Sequence, residues 1–286
     1  MSFESLEVPL SANDGHRYNL IARIPAQARA SLLWLPALGV AAKHYLPLAE
    51  ALAANGITVF LHEMRGNGSS SLRASRTSDW GYGEILANDI ACSDAAMAAH
   101  CAAPGRIIGG HSIGAQFAAC YLAMHPGAFR KLWLVASGSP YWRNFPAPKR
   151  YVFPFVFQCV PWLADLCGRL PGRRLGFGGD EARTLIRDWA TVGLSNRYAA
   201  AGLATDLEAA LARVSVEVRA VLLSNDWFAP RSSMQGLLDK LPNSTSTLAM
   251  LDRNALGVAA DHFAWMKRPQ AVVDALLGRD IEAMTA

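Results

Sequence analysis

Residues 105–124 read GRIIGGHSIGAQFAACYLAM, and this stretch decides the fold. A short apolar run precedes Ser112, and a helix-like segment follows it. Gly110 and Gly114 flank the serine symmetrically. A G-x-S-x-G element between a strand and a helix is typical of a nucleophile elbow, a turn too tight for larger neighbours. The pattern is short enough to arise by chance, so its position between a strand and a helix carries the prediction that Ser112 is a nucleophile.

Strand-like and helix-like segments alternate on both sides of this turn. Residues 30–37 form a continuous apolar run, which indicates a strand buried on both faces, and further strand-like segments cover residues 57–64, 105–110, 129–139, 216–226 and 244–251. Residues 17–25 also have β character, and helical spacing covers residues 43–56, 83–101, 112–126, 232–242 and 269–284. This alternation predicts an α/β fold with a mostly parallel central sheet and helices on both faces.

The alternation stops between residues 141 and 213. This segment is rich in prolines, aromatic residues and glycines, with helix-like pieces at residues 181–193 and 205–214 and no clear buried strand. We therefore predict a core formed by residues 1–140 and 214–286, with residues 141–213 inserted as a mostly helical cap. The cap follows the strand that comes after the nucleophile helix.

Composition excludes several classes of protein. The 286 residues carry a net charge of only +4, and the basic residues are scattered, which argues against nucleic-acid binding. The amino terminus lacks the basic start and apolar core of a secretory signal, and no run reaches the ~18 apolar residues of a membrane span. Five cysteines without a metal-type pair indicate reduced thiols, so we expect no metal site and a cytoplasmic protein.

A serine hydroxyl needs a histidine base that is oriented by a carboxylate. In a fold with this elbow, the chain order is serine, acid, histidine. Five of the seven histidines precede Ser112, and His125 lies at the far end of the helix that follows it. By exclusion, His262 is the predicted base.

The acid should follow a strand between Ser112 and His262, because open α/β sheets build their sites at the carboxyl ends of strands. Asp226, at the end of the apolar run VLLSND, meets this condition best. Asp252 follows the next strand and is the alternative. Asp261 adjoins the histidine, but side chains of sequence neighbours rarely face each other.

An acyl-transfer intermediate also needs two N–H donors for its oxyanion. The backbone amide after the nucleophile, that of Ile113, is the first candidate. The second should come from the turn PALGV after residues 30–35, where position favours Leu38. Both are backbone groups, so their side chains carry no information.

These motifs resemble the α/β-hydrolase superfamily from residue 20 to about residue 277, apart from the cap. HEMRGNGSS is similar to the D-x-R-G-x-G-x-S turn common there, with Glu63 in place of the aspartate, which we interpret, like Arg65, as a brace of the turn. LPALGV departs from the His-Gly oxyanion turn of many members. More narrowly, GHSIGAQ, SGSPYW and SNDWFAP resemble a bacterial group of α/β hydrolases. The resemblance implies a triad of Ser112, Asp226 and His262 and no cofactor, but it implies no substrate.

Aromatic side chains are concentrated in the cap. An apolar lid over a nucleophile is where an acyl chain or an aromatic group would bind, so we place Tyr141, Trp142 and Trp227 at a substrate pocket. The alternative is that these aromatic side chains pack the cap onto the core. Arginines and lysines flank the apolar stretch 151–168, and contact with a membrane surface is an alternative to plain solvation of these charges.

The sequence thus predicts a serine hydrolase that acts on a small to medium, fairly hydrophobic ester or thioester as its small-molecule partner. Two alternatives stay open: an acyltransferase or lipase-like enzyme at a membrane surface, and a non-catalytic binding protein that kept the elbow for structural reasons. Dehalogenase chemistry is excluded, because it requires an aspartate at the elbow. Substrate identity, acyl length and oligomeric state are not predicted.

Overall fold

An eight-stranded sheet forms the centre of the protein, whose computed structural model describes residues 2–279. Its strands are β1 Phe3–Ser11, β2 Arg17–Pro25, β3 Ala30–Leu35, β4 Ile57–Leu61, β5 Gly105–His111 and β6 Lys131–Val135, followed after an insertion by β9 Glu217–Leu223 and β10 Thr245–Leu251. The spatial order is β1-β2-β4-β3-β5-β6-β9-β10. β2 pairs antiparallel with β1 and β4, and the remaining pairs are parallel.

Helices cover both faces of this sheet. They are α1 Leu46–Ala53, α2 Tyr82–Glu84, α3 Ala91–His100, α4 Ile113–Met124, α9 Arg231–Leu238, α10 Arg253–Leu256 and α11 Gln270–Leu277. A π-helical stretch, Ile85–Ile90, joins α2 to α3. This arrangement confirms the predicted fold class.

The residues of β3 show why its sequence is almost entirely apolar. Leu33 and Leu35 belong to one buried cluster, which also contains Phe117 of α4. Leu32 and Trp34 belong to a second cluster on the opposite face of the sheet. Successive side chains of a strand point to opposite faces, so a strand buried on both faces is apolar at nearly every position, and the one polar residue of β3, Ser31, is small and buried.

Between β6 and β9 the chain forms the insertion. It contains α5 Lys149–Cys167, β7 Leu170–Pro171, α6 Gly172–Leu175, β8 Asp180–Glu181, α7 Arg183–Ser195 and α8 Leu207–Leu211. β7 and β8 form a separate two-stranded antiparallel sheet. We call residues 141–213 the cap, with the boundaries predicted from the sequence.

Two long elements were not predicted from the sequence. β1 precedes residue 17, where the first predicted strand begins; its Leu6, Val8 and Leu10 alternate with more exposed residues and pack against the core. The 19-residue helix α5 contains Pro154 and Pro161, which is why no helix was predicted there.

Other sequence expectations concern cysteines, metals and the membrane. All five cysteines are free thiols. Among residues 2–279, no group of three or more His, Cys, Asp or Glu side chains could hold a metal ion. Within that same range, every helix is too short or too polar to cross a bilayer. The predicted helix 269–284 extends past Arg279, and its last part lies outside the described residues.

Candidate active site

Ser112 sits at the turn between β5 and α4, with a backbone φ of 56° and ψ of −124°. A residue other than glycine rarely adopts a positive φ, and such strain is concentrated at functional sites. A Cβ atom on Gly114 would lie 2.2 Å from the Leu35 carbonyl oxygen, and one on Gly110 would lie 2.5 Å from the Gly114 carbonyl carbon. The two glycines are therefore required by contact with neighbouring backbone.

His262 and Asp226 lie together, although 36 positions separate them. Asp226 follows the carboxyl end of β9, and its Oδ2 atom lies 2.7 Å from His262 Nδ1. Its other oxygen accepts hydrogen bonds from the backbone amides of Phe228 and Ala229, at 2.9 and 3.2 Å. The two backbone amides thus fix one carboxylate oxygen of Asp226, and the other oxygen fixes the orientation of the His262 imidazole. A donor at Nδ1 leaves Nε2 as the imidazole nitrogen that can accept a proton.

Ser112 and His262 line the same cavity, which has a volume of about 360 Å³. No hydrogen bond joins the Ser112 hydroxyl to the imidazole among the hydrogen bonds of residues 2–279. Such contacts are often long before substrate binds and tighten in the complex.

The two alternative acids have other roles. Asp252 caps the amino terminus of α10, where its carboxylate accepts a hydrogen bond from the Ala255 amide at 2.8 Å. Asp261 accepts hydrogen bonds from the Phe263 and Ala264 amides, at 3.0 and 2.8 Å. Neither carboxylate has a hydrogen bond to His262 in the described part of the chain.

In the turn after β3, one backbone N–H group has a hydrogen-bond partner and the next has none among the described residues. The Ala37 N–H donates to the Tyr45 hydroxyl at 3.0 Å. The Leu38 N–H has no hydrogen-bond partner among the described residues, and neither has the Ile113 N–H at the start of α4. Leu38 and Ile113 also line the cavity beside Ser112. Both N–H groups are therefore available to an oxyanion.

Tyr45 connects this turn to a second histidine. Its hydroxyl lies 2.8 Å from His111 Nδ1. The hydroxyl is thus a hydrogen-bond partner of both the Ala37 amide and the His111 ring. Burial lowers the pKa of His111 well below its usual value. A neutral His111 ring thus packs against the His262 ring, with centroids 4.7 Å apart.

The cavity wall is mostly apolar. Among the predicted pocket residues, Trp227 lines it, whereas Tyr141 and Trp142 are not among its lining residues. Tyr141 faces a separate depression, and Trp142 packs under the Arg143 guanidinium. The apolar lining comes mainly from the cap: Phe145, Phe153, Val156, Phe157, Val160, Leu170, Leu175, Phe177 and Trp189.

Gln116 is a polar lining residue that sequence reasoning missed. It is only 6% exposed, and its side-chain oxygen accepts a hydrogen bond from the Tyr198 hydroxyl at 3.2 Å. It lies in the first turn of α4, four residues after Ser112, and both residues line the cavity. That spacing was the available signal.

A second, more open depression lies on the outer side of the His262 loop. Its volume is about 740 Å³, and it shares Trp227, Phe228, His262 and Phe263 with the first cavity. Lys43, His44 and Lys267 contribute basic groups to its wall. His262 thus lies between an apolar cavity and a more polar, solvent-facing one.

Glu63 and Arg65 brace the loop after β4. The Glu63 carboxylate accepts hydrogen bonds from the Ala42 and Ser69 amides, at 3.0 and 3.1 Å. The Arg65 guanidinium is buried against Asp89, with a contact of 2.8 Å. Neither residue lines the cavity.

A glycine-rich loop of the cap rests directly on the turn after β3. Gly39 has a φ of 73°, and a Cβ atom there would lie 2.1 Å from the Gly179 nitrogen. The Gly179 amide donates to the buried carboxyl of Glu181 at 2.7 Å. Burial raises the pKa of Glu181 to about 7. An ionisable group therefore lies beneath the loop that covers the Leu38 turn.

The mostly parallel sheet and the serine elbow define an α/β hydrolase. The chain belongs to the hydrolase family described as "Serine aminopeptidase, S33", whose model matches residues 26–253. This membership confirms the resemblance noted from the sequence motifs.

Solved structures are similar in fold at low sequence identity. A hydrolase from Pseudomonas aeruginosa is 15% identical, with a TM-score of 0.65 over 96% of this chain and 97% of the other. A Pyrococcus furiosus esterase is 14% identical, with a TM-score of 0.62 over 99% and 92%. A thioesterase domain from the curacin biosynthetic pathway is 17% identical, with a TM-score of 0.60 over 96% and 99%. No curated protein matches the sequence significantly.

Proposed function

We propose that the protein is a serine hydrolase that cleaves esters or thioesters of uncharged, apolar acyl groups through an acyl-enzyme on Ser112. The observation that carries the proposal is one cavity with three features. Ser112, with its strained backbone, lies on the cavity wall, and so does the His262 imidazole, which Asp226 holds at 2.7 Å. The remaining lining residues are almost all apolar.

The reaction follows from these groups. Ser112 Oγ attacks the substrate carbonyl carbon while His262 Nε2 takes the hydroxyl proton. The carbonyl oxygen becomes an oxyanion, which the Ile113 and Leu38 N–H groups stabilise. The carbon–oxygen or carbon–sulfur bond then breaks, and His262 gives the proton to the leaving alcohol or thiol. Water attacks the acyl-enzyme in the same way and releases the acid. Asp226 keeps the imidazole oriented and stabilises its charged form.

The cavity lining favours a neutral acyl group. His262 is the one titratable residue among the described residues that line it. A charged acyl group would lose its hydration there without gaining a partner. The phenylalanines of the cap provide contact for an alkyl chain or an aromatic ring.

The same lining argues against an aminopeptidase activity, in spite of the family description. A free α-amino group carries a positive charge at neutral pH and would need a carboxylate partner when buried. None of the described lining residues is acidic. We therefore place the substrate among esters and thioesters.

The test is a panel of p-nitrophenyl esters and acyl-CoA thioesters of graded acyl length, each offered to the protein and to Ser112→Ala. We expect turnover of neutral acyl groups and a loss of roughly 10⁴-fold or more in Ser112→Ala. His262→Ala should cause a similar loss, whereas His125→Ala, which alters a histidine outside the cavity, should not.

The other functions make different predictions. An acyltransferase would give more ester product than free acid when an acceptor alcohol is added. A binding protein would bind the esters or thioesters of the panel without hydrolysing them, both in the parent and in Ser112→Ala. This result would overturn the proposal.

A further inference from the structure

The cap helix α5 is apolar on two opposite faces. Its inner face lines the cavity through Phe153, Val156, Phe157 and Val160. Its outer face is exposed, with exposed fractions of 65% for Tyr151, 68% for Phe155, 65% for Trp162 and 56% for Leu166. The spacing of these four residues, at positions i, i+4, i+11 and i+15, places them in one stripe along the helix. We call these four residues the outer stripe.

A surface helix ordinarily turns polar residues toward water. Exposed aromatic residues scattered singly need no explanation, but four large apolar side chains on one helix face, with the exposed Gln158 between Phe155 and Trp162, indicate an interaction surface. The outer stripe combines Tyr and Trp with Phe and Leu, and helices that lie in the membrane–water interface have this composition. The stripe therefore indicates a partner with an apolar interior and a polar boundary.

Charge around the outer stripe indicates the sign of that boundary. Between residues 143 and 175 the chain has six Lys or Arg residues and one acidic residue, Asp165. Asp165 is already paired with Arg187 at 2.8 Å. The cap has ten basic and six acidic residues, so it accounts for the whole net charge of +4. Of the six basic side chains between residues 143 and 175, Arg169 pairs with Asp180. The other five form no ion pair with any described residue: Arg143, Lys149, Arg150, Arg173 and Arg174.

The entrance to the cavity lies beside this surface. Leu175, Trp227 and Phe263 line the cavity and are also exposed, at 54%, 49% and 42%. Lys149, the first residue of α5, has its Nζ atom 4.4 Å from the centroid of the Trp227 ring. The cavity rim at Trp227 thus lies beside the amino-terminal end of α5, where Lys149 precedes Tyr151 of the outer stripe by two residues.

We propose that the outer stripe and the unpaired cations near it bind the surface of a bilayer that contains anionic phospholipid. The outer stripe inserts its rings among the acyl chains near the headgroups, while the cations contact lipid phosphates. If the proposed function is correct, an ester dissolved in the bilayer then enters the cavity past Leu175 and Trp227. Membrane binding itself does not require Ser112.

The experiment measures flotation of the full chain carrying Ser112→Ala with two kinds of vesicle. One kind is pure phosphatidylcholine, and in the other part of the phosphatidylcholine is replaced by phosphatidylglycerol. We expect flotation with the anionic vesicles, at least about tenfold weaker binding to the neutral ones, and weakening as salt increases. Because the catalytic serine is absent, failure of the hydrolase proposal leaves this result unchanged.

Two pairs of variants identify the surface. Phe155→Ser with Trp162→Ser should weaken binding more than about tenfold, because the variant no longer buries two apolar rings among the acyl chains. Met250→Ser, at an exposed position of β10, should have no effect.

Lys149→Glu with Arg150→Glu should weaken binding to anionic vesicles at least about tenfold. Arg29→Glu with Arg130→Glu, which changes the net charge equally, should weaken it less.

Circular dichroism and thermal melting establish that each variant is folded. The proposal is overturned if the folded parent does not float with anionic vesicles, or if the outer-stripe variant floats as well as the parent. It is also overturned if the parent is a dimer by light scattering, the outer-stripe variant is a monomer, and neither floats. That last result would assign the surface to a second copy of the chain.

Discussion

The core and the cap are held together in different ways. Nearly every strand and helix of the core contributes to two large buried clusters, one on each face of the sheet. The buried cluster within the cap contains only Ala164, Leu170 and Ile186. The cap therefore depends on its contacts with the core, such as the hydrogen bond from the Thr184 amide to Asp79 at 3.1 Å.

The same two regions divide the site. The core provides Ser112, Asp226, His262 and the two available amides, all at the carboxyl ends of parallel strands, where open α/β sheets build their sites. The cap provides most of the apolar wall. We infer that the core fixes the reaction and that the cap selects the acyl group. Each of the following substitutions affects one region or the contact between them.

The largest effect is expected in the core. Asp226→Asn should lower kcat/KM about 10⁴-fold, because an amide cannot orient and stabilise the imidazolium in the same way. Asp252→Asn is the matched control, since asparagine caps a helix as well as aspartate does. Steady-state kinetics on one ester measures both. Equal losses in the two variants would mean that Asp226 is not the acid.

The next effect concerns stability in the cap. Because the pKa of Glu181 is raised to about 7 in the folded protein, the carboxyl stays protonated there at pH values where the unfolded chain has lost the proton. The free energy of unfolding should therefore fall as pH rises from about 4.5 to about 7, by about 3 kcal/mol from this group. Glu181→Gln should remove this contribution.

Urea unfolding at pH 5 and pH 8 measures the difference. Glu181→Gln should be more stable than the parent at pH 8, and the advantage should disappear at pH 5. The control is Glu4→Gln, which changes an exposed side chain of β1. If Glu181→Gln and the parent have the same pH dependence, Glu181 does not titrate as described.

The contact between the regions comes third. Gly39→Ala places a Cβ atom 2.1 Å from the Gly179 nitrogen, so the cap loop and the Leu38 turn must separate. A displacement of about 1 Å in such a turn costs about 10²-fold in rate. Gly15→Ala is a matched control, because Gly15 has a similar φ of 85° but nothing within 4 Å of the new atom.

Both glycine variants should lose stability from the strained backbone, by about 1 kcal/mol. Only Gly39→Ala should lose activity. Rates for a short and a long ester measure the effect, and normal rates in folded Gly39→Ala would show that the cap loop does not position the turn.

The smallest effect is expected at Tyr45. Tyr45→Phe leaves the Ala37 N–H without its partner, which loosens the turn that holds Leu38. We expect kcat to fall about tenfold with little change in KM, since the turn acts mainly on the oxyanion. Tyr82→Phe is the control, because the Tyr82 hydroxyl is buried without a hydrogen-bond partner among the described residues. A loss confined to stability would leave Tyr45 with a structural role only.

The comparison of core and cap also explains what the sequence could predict. Apolar strands and the elbow are local patterns, and the topology then brings their carboxyl ends to one edge of the sheet. That is why Asp226 and His262, 36 positions apart, were both predicted at one site. The structure places a hydrogen bond between them, and their catalytic roles stay a prediction.

For the cap, no local sequence pattern predicted where its side chains would lie. The two prolines of α5 concealed a helix of 19 residues, and Tyr141 and Trp142, predicted at the pocket, lie elsewhere. The cavity wall depends on how short elements pack on the core, which is a non-local property. The Tyr45–His111 hydrogen bond was missed for the same reason, because it depends on which buried polar groups meet. Gln116 was missed although its spacing from Ser112 is local.

The central claim is that Ser112 is activated by His262, and a fluorophosphonate probe tests it most directly. The probe phosphonylates a serine only when its hydroxyl is reactive. We predict covalent labelling at Ser112, located by mass spectrometry, that is absent in Ser112→Ala and at least about 10²-fold slower in His262→Ala. A folded protein that remains unlabelled, or that is labelled equally fast without His262, would contradict the account.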